Sequence, residues 1–179
     1  MSRYLIVEAD GGARGNPGPA AYGTVVRDGA TGAVIAERAG YLGATTNNVA
    51  EYTGLLVGLQ LCATLGDVRV DVRMDSKLVV EQMTGGWKIK HENMRRMATQ
   101  IREAINPAHV RYSWVPREQN KAADALVNES LDAALAGRAG LTWLRSDAAA
   151  PRLAALFKRE DLGRSAVRAF FEELADSPD

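Results

Sequence analysis

Four acidic residues, Asp10, Glu51, Asp75 and Asp124, stand where secondary-structure elements begin or end. Asp10 closes the apolar run Tyr4-Leu5-Ile6-Val7 and opens a glycine-rich loop, Gly11 to Gly18. Glu51 follows Thr46-Asn47-Asn48 on the first turn of an apolar helix. Asp75 ends the alternating run Val68 to Met74, and Asp124 lies just inside a helix opened by Asn120. Carboxylates in such positions are poor core material and good ligands for hard, oxygen-seeking cations such as Mg2+. Drawn together, they would hold two metal ions about 3.5–4 Å apart, an arrangement suited to in-line phosphodiester hydrolysis. Four anions in one place also repel, so without cations at least one carboxyl is driven toward protonation.

The elements that must position these groups are legible from periodicity and punctuation. Residues 4–10, 20–28 and 33–43 read as consecutive strands rich in Val, Ile and Tyr, with Asp28-Gly29-Ala30-Thr31-Gly32 as a hairpin loop. Thr46-Asn47-Asn48 supplies capping side chains for a helix over residues 48–65, ended by Gly66. Val68, Val70, Val72 and Met74 fall on one face of a fourth strand. Helices are expected over Ser76–Met83, residues 91–105 and Asn120–Ala136, with a fifth strand over Val110–Pro116. Three meandering strands followed by alternating helices and strands imply an α/β fold, a mixed sheet flanked by helices.

Composition excludes several classes. The chain has 179 residues, 46% apolar and 25% charged, with a formal net charge of zero. That balance argues against a generally basic coat for nucleic acid and leaves room for a local basic patch. The single cysteine, Cys62, lies in the apolar helix and reads as a small buried hydrophobe. With no partner for a disulfide, the chain suits a reducing cytoplasm. Met1-Ser2-Arg3-Tyr4 leads directly into a strand rather than a signal peptide, and no apolar stretch is long enough to cross a bilayer. The glycine-rich loop lacks the Gly-Lys-Ser/Thr ending of a phosphate-binding P-loop and the spacing of a dinucleotide fingerprint.

Asp10-Gly11-Gly12-Ala13-Arg14-Gly15-Asn16-Pro17-Gly18-Pro19, Thr46-Asn47-Asn48-Val49-Ala50-Glu51-Tyr52, Asp75-Ser76 and Asn120-Lys121-Ala122-Ala123-Asp124 together resemble type 1 ribonuclease H over residues 3–136. The resemblance implies a five-stranded mixed sheet whose second strand is antiparallel. It implies an enzyme that cuts the RNA strand of RNA–DNA hybrids, leaving 5′-phosphate and 3′-hydroxyl ends. Asp10, Glu51, Asp75 and Asp124 would then bind two Mg2+ or Mn2+ ions. Gly11, Asn16, Thr46, Asn47 and Asn48 would meet the minor groove of the hybrid, where the 2′-hydroxyl separates RNA from DNA. Trp87 and Lys88, in a Gly-Trp-Lys run similar to the family's, are expected on the DNA strand.

Two departures from the pattern are evident. Few residues separate Trp87 from the next helix, so the long basic handle of some members is missing. The loop Val115-Pro116-Arg117-Glu118-Gln119-Asn120 has no histidine where many members carry a mobile one, and His91 and His109 fall elsewhere. Arg117 is the candidate substitute, with Glu118 beside it. Short loops of this kind resemble a subgroup of archaea and some bacteria, members of which also cut double-stranded RNA. That substrate is one alternative, and a non-catalytic hybrid-binding scaffold is another. The domain is expected over residues 1–137, with residues 138–179 a linker and C-terminal helical extension. The stripe Ala166, Val167, Phe170 and Leu174 in that extension would pack back on a monomeric domain, dock a partner or dimerise.

Overall fold

The structure, a computed structural model, describes residues 2–138 and 142–146. Three long strands come first, β1 (Arg3–Ala13), β2 (Gly18–Asp28) and β3 (Val34–Thr45). They are followed by α1 (Asn47–Ala63), β4 (Val68–Met74), α2 (Lys77–Met83), α3 (Glu92–Ala104), β5 (Val110–Trp114) and α4 (Lys121–Ala133). A short strand, β6 (Thr142–Ser146), ends the described chain. The sheet order is β5-β4-β1-β2-β3-β6. β2 runs antiparallel to β1 and β3, while β4 is parallel to both β1 and β5. The expected five-stranded mixed sheet is therefore present. β6 adds a sixth strand, antiparallel to β3, within the segment expected to be linker. The helical stripe expected at Ala166 to Leu174 lies outside the described residues.

Strand alternation sends side chains to two faces, and the cores divide accordingly. Tyr22 and Val26 of β2 join Leu5, Val7, Val70 and Val72 under α1, α2 and α3. Their neighbours Ala21 and Val25 turn the other way, onto Leu126, Val127 and Leu131 of α4. α1 is apolar on all sides because it is enclosed on all sides: twelve of its seventeen residues are buried. Its approach to the sheet is set by Gly54 and Gly58, where an added Cβ would lie 2.6 Å from the Asp10 carbonyl and 2.5 Å from Thr24 Oγ1. No side chain larger than hydrogen fits at either position. Among the described residues no helix is long and apolar enough to cross a membrane.

One boundary differs from the sequence expectation in a way that matters for the site. Asp10 does not end its strand: β1 continues through Gly11 and Gly12 to Ala13, pairing Asp10 with Gly23 and Gly11 with Tyr22. Gly11 there serves close packing. A Cβ on Gly11 would sit 2.1 Å from the carbonyl carbon of Ala50 in α1. The true loop is only the four residues between Ala13 and Gly18.

Candidate active site

β1 and β4 are adjacent and parallel, so their C-terminal halves carry Asp10 and Asp75 to the same end of the sheet. Glu51, the fifth residue of α1 and thus in its second turn, is brought there by the packing of Ala50 against Gly11. Carboxylate oxygens of Asp10, Glu51 and Asp75 all lie within 4.8 Å of one another. Asp124, in the first turn of α4, stands outside that trio but its carboxyl contacts that of Asp10. All four acidic residues singled out in the sequence thus converge.

Their electrostatics are those of an anionic cluster without cations. Burial, then the charges of Asp75 and Asp124, push the Asp10 carboxyl up to about 7 against a partial offset from the Gly11 N–H. Burial first, then Asp10 and Asp75, hold Glu51 well above the usual carboxylate range. Glu51 Oε2 is buried with no hydrogen-bond partner among the described residues. The contact between Asp10 and Glu51 is a hydrogen bond only when one of them carries a proton. With both ionised, it is repulsive. A buried oxygen lacking a donor, inside a set of hard oxygen ligands, fits a divalent cation.

Asn120 is the functional residue that sequence reasoning passed over, because it read as the N-cap of α4. It makes no side-chain cap. Only 1% exposed, it instead donates from Nδ2 to the Ala9 carbonyl and to Asp75 Oδ1, each at 2.9 Å. The amide therefore ties the strand bearing Asp10 to the carboxylate of Asp75 and fixes the orientation of the latter. Trp114 adds a second tether, its Nε1 donating to the Asp75 carbonyl at 3.1 Å. Asn128, one turn along α4, reaches Asp124 Oδ2 at 3.4 Å. An asparagine directly before an aspartate-bearing helix was the available signal; its tertiary partners were not.

The remaining sequence candidates fall into groups. Asn47 accepts from the Ala13 N–H at 2.7 Å through Oδ1, and its own N–H donates to Asn16 Oδ1 at 3.0 Å. Asn16 and Asn47 thus brace the loop after β1 against the start of α1. Capping falls to Thr46, whose Oγ1 accepts from Val49 N–H at 3.3 Å, and neither Asn47 nor Asn48 has that role. Gly11 is packed under α1 beside the carboxylates. Trp87 and Lys88 are exposed on the loop between α2 and α3. Arg117, in a short 3-10 turn before α4, places Nη2 3.6 Å from Asp124 Oδ1 with its side chain 75% exposed. That turn brings an exposed cation to the rim of the acidic cluster.

Known proteins resemble this chain over most of its described length. A family described as reverse transcriptase-like matches residues 8–130. A bifunctional protein of Mycobacterium tuberculosis is 48% identical over 131 residues, covering 73% of this chain and 36% of that protein. The solved N-terminal RNase H domain of that mycobacterial protein superposes with a TM-score of 0.73 at 47% identity, covering 77% of this chain and all of that one. The ribonuclease HI of Halobacterium salinarum is 42% identical over 127 residues, 69% of this chain and 62% of its own length. A type 1 enzyme named LC11-RNase H1, solved in complex with an RNA/DNA hybrid, has a TM-score of 0.68 at 41% identity, covering 73% of this chain and 99% of that one. The chain spans about a third of the length of the mycobacterial relative.

Proposed function

The chain belongs to the type 1 ribonuclease H family, and on that premise we propose that it hydrolyses the RNA strand of RNA–DNA hybrids by a two-metal-ion mechanism, leaving 5′-phosphate and 3′-hydroxyl ends. The observation that carries this reading is the convergence of Asp10, Glu51 and Asp75 within 4.8 Å, beside Asp124, with a buried Glu51 oxygen that no protein donor satisfies. Asp10, Glu51, Asp75 and Asp124 are the proposed ligands of two Mg2+ or Mn2+ ions. When bound, such ions supply a hydroxide nucleophile at neutral pH and stabilise the leaving 3′-oxygen.

The chain's own residues prepare that chemistry. Asn120 presents Asp75 in one orientation, and the Gly11 N–H holds the Asp10 and Glu51 carboxylates beside each other. The braced segment of Gly11, Asn16, Thr46, Asn47 and Asn48 offers hydrogen-bonding groups to the minor groove, where a 2′-hydroxyl distinguishes the RNA strand. Trp87 and Lys88 receive the DNA strand through an aromatic face and a point charge. Arg117, whose guanidinium is always charged, releases Asp124 to its ligand role and takes the negative charge of the scissile or product phosphate. The proposed setting is the cytoplasm, with the domain acting as a monomer.

The short turn carrying Arg117 resembles that of the subgroup whose members also cut double-stranded RNA, and on that resemblance we propose double-stranded RNA as a second substrate. One assay tests both readings: purified chain with labelled RNA–DNA, RNA–RNA and DNA–DNA duplexes, with Mg2+, with Mn2+ and with chelator. Metal-dependent cleavage of the RNA strand in the hybrid is expected. Intact hybrid under all metal conditions refutes the ribonuclease reading, and intact RNA–RNA refutes the second substrate alone.

A further inference from the structure

Gln82 is the least expected side chain of α2. That helix has seven residues, and its other buried members, Val79, Val80 and Met83, are apolar and pack into the main core. Gln82 is only 5% exposed, and a buried carboxamide costs stability unless both of its ends find partners. Both do. Its Oε1 accepts from the Tyr52 hydroxyl at 2.7 Å, and its Nε2 donates to the Lys88 carbonyl at 3.3 Å. A carbonyl oxygen only accepts, so the amide nitrogen must face Lys88, which leaves the amide oxygen for Tyr52. Burial pushes the Tyr52 hydroxyl up to about 12, so it keeps the proton that it donates.

These two bonds join segments that are remote in sequence. Tyr52 directly follows Glu51 in α1 and is fully buried. Lys88 belongs to the stretch between α2 and α3, which has no helix or strand of its own and takes its shape from a few anchors. The Trp87 N–H donates to the Glu81 carbonyl at 3.1 Å, Ile89 packs on the core, and Arg95 Nη2 donates to the Lys90 carbonyl at 3.0 Å. The two hydrogen bonds tie the stretch to its flanking helices, α2 and α3. The Gln82 amide continues through Tyr52 to α1, the helix that carries Glu51.

We propose that Gln82 is a positioning residue for hybrid binding: its amide holds Trp87 and Lys88 in register with Glu51, so that the DNA strand is gripped at a fixed distance from the carboxylates. The proposal rests on the reading of Trp87 and Lys88 as contacts to the DNA strand. A segment ordered before binding need not be ordered by the substrate, which lowers the cost of association. That economy matters here because a short segment, without a long basic handle, offers few contacts.

The test combines hybrid cleavage in Mg2+ with amide hydrogen exchange of the free, full chain. Gln82→Met keeps a similar bulk and removes both hydrogen bonds. It should raise KM about tenfold, roughly the loss of one stacking or charge contact, while kcat changes less than KM. Exchange of the Trp87 N–H should accelerate, with that of Tyr52 unchanged. Lys88→Ala should cost less in KM in the Gln82→Met background than in the parent, because the lysine is already out of place there. Tyr52→Phe, which keeps the Lys88 bond and breaks the link to α1, should raise KM in the same direction by less, and it serves if Gln82→Met fails to fold. Fully additive KM effects, a loss confined to kcat, or a KM equal to the parent's in both variants overturns the proposal. A parent that leaves the hybrid intact refutes the ribonuclease reading and the proposal with it. A parent that cuts the hybrid, with Trp87 exchange unmoved in Gln82→Met, refutes the proposal alone.

Discussion

Asp10→Asn should make the metal-free protein more stable at neutral pH while abolishing hybrid cleavage. In the folded chain the Asp10 carboxyl keeps its proton up to about pH 7, whereas in the unfolded chain it releases it near 3.8. Between those values the native state binds one more proton than the unfolded state, so stability falls as pH rises. Below the unfolded value the contribution is fully present; above the folded value it is lost. The rise from 3.8 to about 7 spans roughly three units, each worth about 1.4 kcal/mol, so the full penalty of holding Asp10 ionised is about 4 kcal/mol. Asparagine removes that penalty and keeps an acceptor for the Gly11 N–H, but a buried amide has its own desolvation cost, leaving a net gain of about 2–3 kcal/mol at pH 8. For a domain of this size the gain raises the melting temperature by roughly 10 °C. The assay is chemical and thermal unfolding of both proteins in chelator from pH 4.5 to 8.5, repeated with Mg2+. Wild type should lose stability across that window and recover it with Mg2+, because a cation that binds only the folded state stabilises it. The variant should show a flatter profile and little response to Mg2+. Equal metal-free stability of the two proteins at pH 8, or a flat wild-type profile, refutes the reasoning.

Asn120→Ala should cost about 1–3 kcal/mol, since the buried Ala9 carbonyl loses its donor, and should lower turnover by freeing Asp75; unfolding curves and kcat on the hybrid check both, and unchanged kcat would leave Asn120 a purely structural residue. Gly11→Ala should destabilise by about 1–3 kcal/mol because its Cβ meets the α1 backbone at 2.1 Å, prising Glu51 from the cluster; a variant as stable as the parent would show that α1 yields freely there. Arg117→Ala should leave stability within about 0.5 kcal/mol, as expected of an exposed residue. Its turnover should fall with the metal requirement unchanged, and equal single- and multiple-turnover rates would remove Arg117 from the site.

Much of the fold was legible because it is written in local chemistry. The strict alternation of Val68 to Met74, the turn at Asp28 to Gly32 and the punctuation by Gly66 each follow from backbone preference and burial within a few residues. The four carboxylates stood out for the same reason: an acid beside an apolar run is anomalous wherever the chain goes next. The extent of β1, the role of Asn120 and the presence of β6 depend on neighbours far away in sequence. Gly11 and Gly12 look like loop residues, yet they pair with Tyr22 and Ala21 of β2, and Gly11 is glycine there because α1 packs so closely that no Cβ fits. Asn120 has the side chain of a helix cap, yet its amide goes to Ala9 and Asp75, more than forty residues away in either case. Residue types thus determined which groups were available for chemistry. Only the parallel pairing of β4 with β1, and the glycine-permitted approach of α1, decided that the carboxylates meet. Steric exclusion and hydrogen-bond satisfaction between remote segments are properties of the assembled structure, and no local pattern encodes them.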